Sequence, residues 1–256
     1  MPTISTWNVN SIKARHDRLF AWLDSRSPDV VCLQELKVAD DAFPYADVEG
    51  AGYHVAAYCQ KTWNGVAILS REPIENVVHG MDDDEDDPEA RVVAGRTFGI
   101  DVVGMYVPNG KTVGSKKWEY KMNWLDRVRA LLERRFSGTD SLVVCGDINI
   151  APADEDVANP DKWARSVLCD PKGRDKLSEI MALGLKDVVR LHNEGPGPYS
   201  WWDYRMLAFP KGDGLRIDLI LASEALAGRS SAAWVDRDER KGKKPSDHAP
   251  VLATFD

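Results

Sequence analysis

Two short polar motifs carry the first chemical signal. Asn8-Val9-Asn10 and Asp147-Ile148-Asn149 each follow an apolar run and each place two oxygen-bearing side chains two residues apart. In an extended strand, residues at that spacing face the same side. Glu35 ends a third run, DVVCLQ, and Ser246-Asp247-His248 leads into a fourth. In LRIDLILAS, Ile217, Leu219 and Leu221 share one face and Asp218 points the other way. A carboxylate in a buried strand needs a partner. His248, one of 5 histidines, is the candidate. An Asp218–His248 pair would fix the imidazole tautomer and keep it cationic near neutral pH. Oxygen-rich, cysteine-free ligation suits Mg²⁺ or Mn²⁺ rather than zinc, usually opposite a phosphate. Each motif alone is commonplace: DxN is usually a turn or a cap. The reading rests on their conjunction, in which hard donors and one histidine terminate separate strands of a single chain.

The elements that would position these groups alternate between strand and helix. Strands are expected over 3–10, DVVCLQ, 65–70, 98–107, 141–148, 216–223 and 250–255. Ser11 is placed to cap a helix carrying Ile12, His16, Leu19 and Leu23 on one face. Trp118, Met122, Leu125, Leu132 and Phe136 recur at helical spacing, with Gly138 as a stop, and 173–183 form a further helix ended by Gly184. Strands outnumber helices, several in hairpin-like succession. This pattern implies an α/β chain with two mixed sheets packed face to face and helices outside. Neither GxGxxG nor GxxxxGK[ST] is present, so neither common nucleotide cradle is supported.

The chain has 256 residues, 43% of them hydrophobic and 29% charged. This is the profile of a folded soluble protein of one large domain or two small ones, and no linker divides residues 1–256. No apolar run is long enough to span a bilayer, and the N-terminus carries no signal-peptide pattern. The 4 cysteines, Cys32, Cys59, Cys145 and Cys169, form no CxxC pair. Buried free thiols in a reducing, cytoplasmic setting are therefore expected. Net charge is −8, but DDDEDD at 82–87 accounts for −6 of it, and it is expected to be a solvated acidic loop. Elsewhere, 107–121 (Lys111, Lys116, Lys117, Lys121 against Glu119) and 237–244 each sum to +3, and 204–216 (Arg205, Lys211, Arg216 against Asp213) to +2. Such segments form a basic rim suited to a polyanion, or ordinary solvated surface. Tyr106, Trp118, Trp201, Trp202 and Tyr204 are interleaved with them. The Trp pair caps the core, wedges against bases or fills an abasic gap.

The blocks WNVNSIKAR, PDVVCLQELK, YVPNG, CGDINIAP, SWWDYR, GLRIDLILAS and KPSDHAPV, in that order over residues 7–251, resemble the signature of exodeoxyribonuclease III. That enzyme belongs to the endonuclease/exonuclease/phosphatase superfamily. The resemblance implies a four-layered α/β sandwich in one catalytic domain. It also implies a Mg²⁺- or Mn²⁺-dependent DNA-repair nuclease that cuts 5′ of abasic sites and removes 3′-terminal nucleotides or blocking groups from duplex DNA. By the same resemblance, Glu35 is the principal metal ligand, Asn8 lies in the metal shell or orders its neighbours with Asn10 beside it, and Asp247 is a second candidate ligand. Tyr106 contacts the scissile phosphate, Asp147 activates water, and Asn149 positions phosphate and water. Asp218 pairs with His248, which stabilises the phosphorane. Lys111, Lys116, Lys117, Trp201, Arg205, Leu215 and Arg216 are the expected DNA contacts, with Trp201 and Leu215 at the abasic pocket. Asn10 stands where some relatives carry Asp, which leaves the number of metals open. Leu215 stands where some carry Trp, which shifts base-gap recognition toward Trp201. The 82–87 run lies outside the signature and is expected to point away from DNA.

Two alternatives remain at this stage. The same fold and metal would serve an inositol-phosphate phosphatase or a sphingomyelinase. A catalytically silent DNA-binding module is the other. The Asp218 and His248 blocks, the basic rims and the Trp-rich loop favour DNA, and every position expected to do chemistry is filled. A monomer without an obligate protein partner is expected.

Overall fold

The computed structural model describes residues 2–83, 85, 87–136, 138 and 141–256. The strands are β1 (Thr3–Asn8), β2 (Val30–Gln34), β3 (His54–Tyr58), β4 (Val66–Ser70), β5 (Glu75–His79), β6 (Val92–Thr97), β7 (Ile100–Tyr106), β8 (Leu142–Asp147), β9 (Leu185–Asp187), β10 (Asp218–Ser223), β11 (Ser230–Val235) and β12 (Val251–Phe255). They form two 6-stranded mixed sheets, ordered β11-β12-β1-β2-β4-β3 and β5-β6-β7-β8-β10-β9. The parallel pairs are β1–β2 and β7–β8. Each is joined by a helical crossover, His16–Arg26 in the first sheet and Lys116–Phe136 in the second. A parallel pair requires such a crossover, because a hairpin can only reverse the chain.

The central strands are buried on both faces, and their period-2 alternation sorts side chains into layers. Val30 and Cys32, Val143 and Cys145, and Ile220 and Ala222 share the core between the sheets. Their neighbours Val144, Leu219 and Leu221 face outward onto Met122, Trp124, Leu125, Val128 and Leu132 of the long helix and Leu177 and Ile180 of Pro171–Met181. Val31 and Leu33 face the other way, onto Leu19, Trp22 and Leu23 of the first helix. Three apolar interfaces make four layers, helix–sheet–sheet–helix. Each fully buried Leu, Ile or Val contributes roughly 1.5–3 kcal/mol. The sheets approach closely where Gly104 of β7 leaves room: a Cβ there would lie 3.3 Å from Cys32 Sγ.

Several elements depart from expectation. Asn10 (φ 45°) and Ser11 (φ 87°) are left-handed, so the chain turns sharply after β1 and the helix begins only at His16. Ser11 Oγ accepts from Ala14 N (3.3 Å) in that turn and does not cap the helix. The helix expected at 173–183 starts earlier, at Pro171, where the Asp170 side chain accepts from Gly173 N. Strands β3, β5, β6, β9 and β11 were not expected. Cys32, Cys145 and Cys169 are buried and Cys59 is half-buried, all free. The 82–87 run is not simply solvated. Asp83 pairs with Arg127 Nε (2.8 Å), Asp87 with Arg127 Nη1 (2.8 Å) and Tyr120 Oη (3.0 Å), and Asp82 with Arg135. These contacts latch the run to the helix Lys116–Phe136. Asp84 and Asp86 lie outside the described residues.

Candidate active site

On β8, Val143 and Cys145 occupy the inter-sheet face, so Asp147 emerges from that face at the strand end. The register sets Asp218 of β10 beside Asp147 on one side and Tyr106 of β7 on the other. Across the gap, β1 and β2 pair Asn8 with Gln34 at the same end. The inner rows of both sheets are therefore apolar through the core and polar at one rim, and the rim is the site.

Backbone geometry then bends the flanking residues inward. Glu35, Asn10 and Asn149 have φ of 54°, 45° and 52°; this costs Glu35 roughly 1–2 kcal/mol and the two asparagines less. Both motifs close the same turn: Asn10 N donates to Asn8 Oδ1 (3.0 Å), and Asn149 N to Asp147 Oδ1 (3.0 Å). The Glu35 turn is pinned on both sides. Its carbonyl accepts from Ser11 N (2.8 Å), while Leu36 N and Lys37 N donate to Gly65 and Asn64 carbonyls (3.1 and 2.9 Å). Strain held by surrounding hydrogen bonds is a feature of functional sites.

Asn8 Nδ2 bridges Glu35 Oε1 and Asp147 Oδ2, both at 2.9 Å. Tyr106 Oη donates to Glu35 Oε1 (2.8 Å), and Lys37 Nζ meets Glu35 Oε2 (2.7 Å). His248 Nδ1 lies 2.9 and 3.1 Å from the Asp218 carboxylate oxygens. Its Nε2 points toward Asp147 Oδ2 at 3.7 Å. Ser200 Oγ donates to Asp218 Oδ2 (2.6 Å). Asp247 accepts from Asn10 Nδ2 (2.9 Å) and Trp201 Nε1 (3.1 Å). Asn149 is held by Asn109 Nδ2 donating to its Oδ1 (2.9 Å) and by its own Nδ2 donating to the Val107 carbonyl (3.0 Å).

The charges are strongly perturbed. Burial pulls the His248 pKa down, but Asp218 and Asp147 outweigh it and raise it to about 10, so the ring is a cation at neutral pH. Burial raises Asp147 to about 7, with Asp218 and Glu35 pushing the same way and His248 and Asn8 opposing. Burial also lifts the Tyr106 phenol well above its usual range, aided by Glu35 and Asp147, so it stays a donor. Asp247 resists the upward push of burial and sits low, through His248 and its bonds from Asn10 and Trp201.

Among the described residues, Asp147, Asp218 and His248 bring ligand-type atoms within 4.8 Å of one another. The His248 ring is poorly suited to be a ligand: it is cationic and its Nδ1 is committed to Asp218. The oxygen donors beside it fit a hard divalent ion better. Four carboxylates (Glu35, Asp147, Asp218, Asp247) face two cations (His248, Lys37) in this cluster. The two unbalanced negative charges and the raised Asp147 are what such an ion would neutralise.

All nine residues singled out for chemistry meet at this rim. The expected DNA contacts divide. Lys111, Lys116, Lys117 and Arg205 are exposed, Arg205 paired with Asp203 (2.8 Å). Trp201 is half-buried, edge-on to Trp163 (centroids 5.6 Å apart). Leu215 and Arg216 are corrected. Both are 0% exposed. Leu215 is walled into an apolar cluster with Val157 and Val167, and Arg216 is spent on Asp156 and Asp187 (2.7 Å each). Neither offers a side chain to DNA. Lys121 and Arg240, counted with the basic rims, are also buried. Lys121 Nζ donates to the Asn149, Val167 and Asn109 carbonyls (2.8, 3.2 and 3.4 Å), and burial lowers its pKa to about 8.

Sequence reasoning missed Lys37, Asn109, Ser200 and the structural role of Lys121. Lys37, Asn109 and Ser200 lie within the quoted blocks PDVVCLQELK, YVPNG and SWWDYR and were the most accessible to it. Arg91 was also missed: it stacks over the Tyr106 ring (4.6 Å) and no motif marks it.

The profile of the endonuclease/exonuclease/phosphatase family matches residues 5–248. The chain is 35% identical to exodeoxyribonuclease III of Haemophilus influenzae, with 98% of each chain covered. It is 31% identical to the DNA repair nuclease APEX1 of Danio rerio, covering 97% of this chain and 80% of that one. Among solved structures, it superimposes on the 3′ phosphatase NExo from Neisseria bound to a product DNA hairpin with a TM-score of 0.98, at 39% identity and full coverage of both. An AP endonuclease from Archaeoglobus fulgidus gives a TM-score of 0.96 at 41% identity, again with full coverage of both. With an aspartate, a charged Asp–His pair and hard oxygen donors at the rim of two packed sheets, this chain belongs to the endonuclease/exonuclease/phosphatase family, in its exodeoxyribonuclease III group of DNA-repair nucleases.

Proposed function

We propose that this chain is a Mg²⁺- or Mn²⁺-dependent phosphodiesterase of duplex DNA that trims or cleans 3′ ends and incises at abasic sites. The observation that carries it is the placement of Asp147 between the Asn8–Glu35 contact and the Asp218–His248 pair. Water bound against Asp147 gives up its proton to the carboxylate as its oxygen attacks phosphorus; the P–O3′ bond breaks, and O3′ leaves with that electron pair and takes a proton from solvent. Burial makes this carboxylate a stronger base than a free one, which favours that transfer. His248, held cationic by Asp218, faces the negative charge developing on the phosphate oxygens. Tyr106 Oη, whose single hydrogen would be freed once Glu35 turned to the ion, and the second hydrogen of Asn149 Nδ2 orient the phosphate. Glu35 and Asn8 would hold the ion, with Asp247 and Asn10 alongside. When bound, it supplies positive charge to the same oxygens.

The exposed lysines at 111, 116 and 117 follow Asn109, which touches Asn149, so a backbone passing the site meets them next. Trp201, tied to Asp247, borders the space expected to receive an abasic residue. A monomer working in the cytoplasm without an obligate protein partner belongs to the same reading. Four free cysteines accord with it. Among the described residues, no helix is long and apolar enough to cross a membrane.

The test is a duplex carrying a tetrahydrofuran abasic analogue, incubated with Mg²⁺ and with EDTA. Metal-dependent incision or 3′ trimming is expected. Inert DNA with hydrolysed inositol phosphate or sphingomyelin would move the chain to a different substrate, and binding without cleavage would make it a silent module.

A further inference from the structure

Lys121 is 0% exposed, the one buried lysine among the described residues. The hydrogens of its ammonium go to three backbone carbonyls, those of Asn149, Val167 and Asn109 (2.8, 3.2 and 3.4 Å). This uses the full donor capacity of the group. No carboxylate is among these partners, and an ammonium taken out of water without one is costly to hold. An apolar side chain would fill the same space at less cost, so packing alone does not account for the cation.

The three carbonyls belong to three loops. Asn109 follows β7, Asn149 follows β8, and Val167 lies between the helices Pro160–Trp163 and Pro171–Met181. Gly110 makes room for the lysine stem: a Cβ there would lie 3.1 Å from Lys121 Cδ. The ties converge on Asn149, whose backbone is left-handed and must be held by its surroundings. Its N–H goes to Asp147 Oδ1, its Oδ1 accepts from Asn109, and one Nδ2 hydrogen goes to the Val107 carbonyl. These three partners all sit at the ends of β7 and β8. The fourth bond, from Lys121 to the Asn149 carbonyl, comes from the helix Lys116–Phe136, which packs on the outer face of β8. What these four bonds leave over is the second Nδ2 hydrogen, the one that orients the phosphate in the reading above.

We propose that Lys121 is a positioning residue for the phosphodiesterase reaction: by gripping the Asn149 carbonyl from the helix side, it fixes the direction in which Asn149 Nδ2 meets the phosphate. This rests on the DNA reading above. Wholly buried, Lys121 touches no DNA, so it acts on the rate of bond breaking and not on substrate affinity. Misplacing a positioning group by about 1 Å can cost roughly 10²-fold in rate.

The experiment compares wild type with Lys121→Met, Lys121→Gln and Lys121→Arg on a labelled abasic-analogue duplex at neutral pH, each protein shown to be folded by urea melts. Affinity is measured in EDTA, and the single-turnover incision rate in Mg²⁺ at saturating enzyme. Lys121→Met removes the donors, and Lys121→Gln ends one bond short of the carbonyls. Each is expected to slow incision roughly 10- to 100-fold and to leave Kd within about twofold of wild type. Lys121→Arg keeps a cation with donors for all three carbonyls and should stay within about fivefold of the wild-type rate. In an Asn149→Ala background, Lys121→Met should slow incision at most about threefold further, because the two residues act as one unit. A role confined to holding the fold together would cost the same factor in both backgrounds, and that result overturns the proposal. So does a Lys121→Met rate within twofold of wild type, a Lys121→Arg rate as low as that of Lys121→Met, or a loss that appears in Kd and not in rate. If wild type itself neither binds nor cuts the duplex, it is the DNA reading that fails.

Discussion

Replacing Asp218 by Asn removes the charge that holds His248 cationic while keeping a side chain of nearly the same shape. The two carboxylate oxygens stand 2.9 and 3.1 Å from Nδ1. For charge centres about 4 Å apart at an effective dielectric of about 20, their attraction is roughly 4 kcal/mol. That equals about 3 pKa units, so the His248 pKa should fall from about 10 to roughly 7. The ring's titration can be followed by heteronuclear NMR in EDTA, with His248 assigned by its loss in a His248→Gln control. The linkage has a definite sign. A histidine whose folded pKa is raised from 6.5 stabilises the fold fully below pH 6.5, and the contribution disappears as pH rises through about 10. The stability gap between wild type and Asp218→Asn should therefore be largest at about pH 6, where carboxylate and imidazolium are both charged, and shrink toward pH 10. The kcat of the variant should fall as pH rises through about 7, where wild type still holds its cation. A His248 ring neutral at pH 7 in wild type, or still charged at pH 9 in the variant, would refute this account of the pair.

Lys121 runs the other way: burial lowers its pKa from 10.5 to about 8, so the unfolded chain holds the extra proton between those values. Wild type should gain stability over Lys121→Met as pH rises from 8 to 10.5, read by urea melts; a gap that narrows would contradict the burial argument. Gly146, at φ 153°, leaves no room for a Cβ, which would fall 1.8 Å from the Met105 carbonyl oxygen. Gly146→Ala should lose roughly 3 kcal/mol or more by denaturant melts, the scale of severe core strain, and an unchanged midpoint would refute it. Lys116→Ala with Lys117→Ala should weaken DNA binding and flatten its salt slope by up to about 2, near one for each phosphate no longer neutralised. An unchanged slope would demote that loop to ordinary surface.

Strand ends were legible because one rule served all of them: an apolar run that stops on an oxygen donor delivers it to a sheet rim. Burial of Asp218 called for a partner and made His248 a candidate, and the family resemblance supplied the pairing. The parity argument for Asn10 and Asn149 was sound only inside a strand. Both lie past the strand end with left-handed backbones, and they reach the site by a turn that periodicity does not encode. The basic rims show a second limit. Each of the three segments contains one buried cation, Lys121, Arg216 or Arg240, and net charge cannot distinguish a cation offered to solvent from one spent on a carbonyl or an aspartate. The unexpected strands include the mostly exposed β5 and the largely half-buried β11, whose weak alternation reflects edge positions in their sheets.

The central claim is that oxygens from separate strands gather a divalent cation at Glu35 beside the His248 cation. It is tested most directly by calorimetric titration of Mg²⁺ and Mn²⁺ into wild type and Glu35→Gln, paired with incision of the abasic-analogue duplex. The account predicts binding weakened at least tenfold in Glu35→Gln, with incision falling in parallel. Equal metal affinity and equal incision in the two proteins would contradict it.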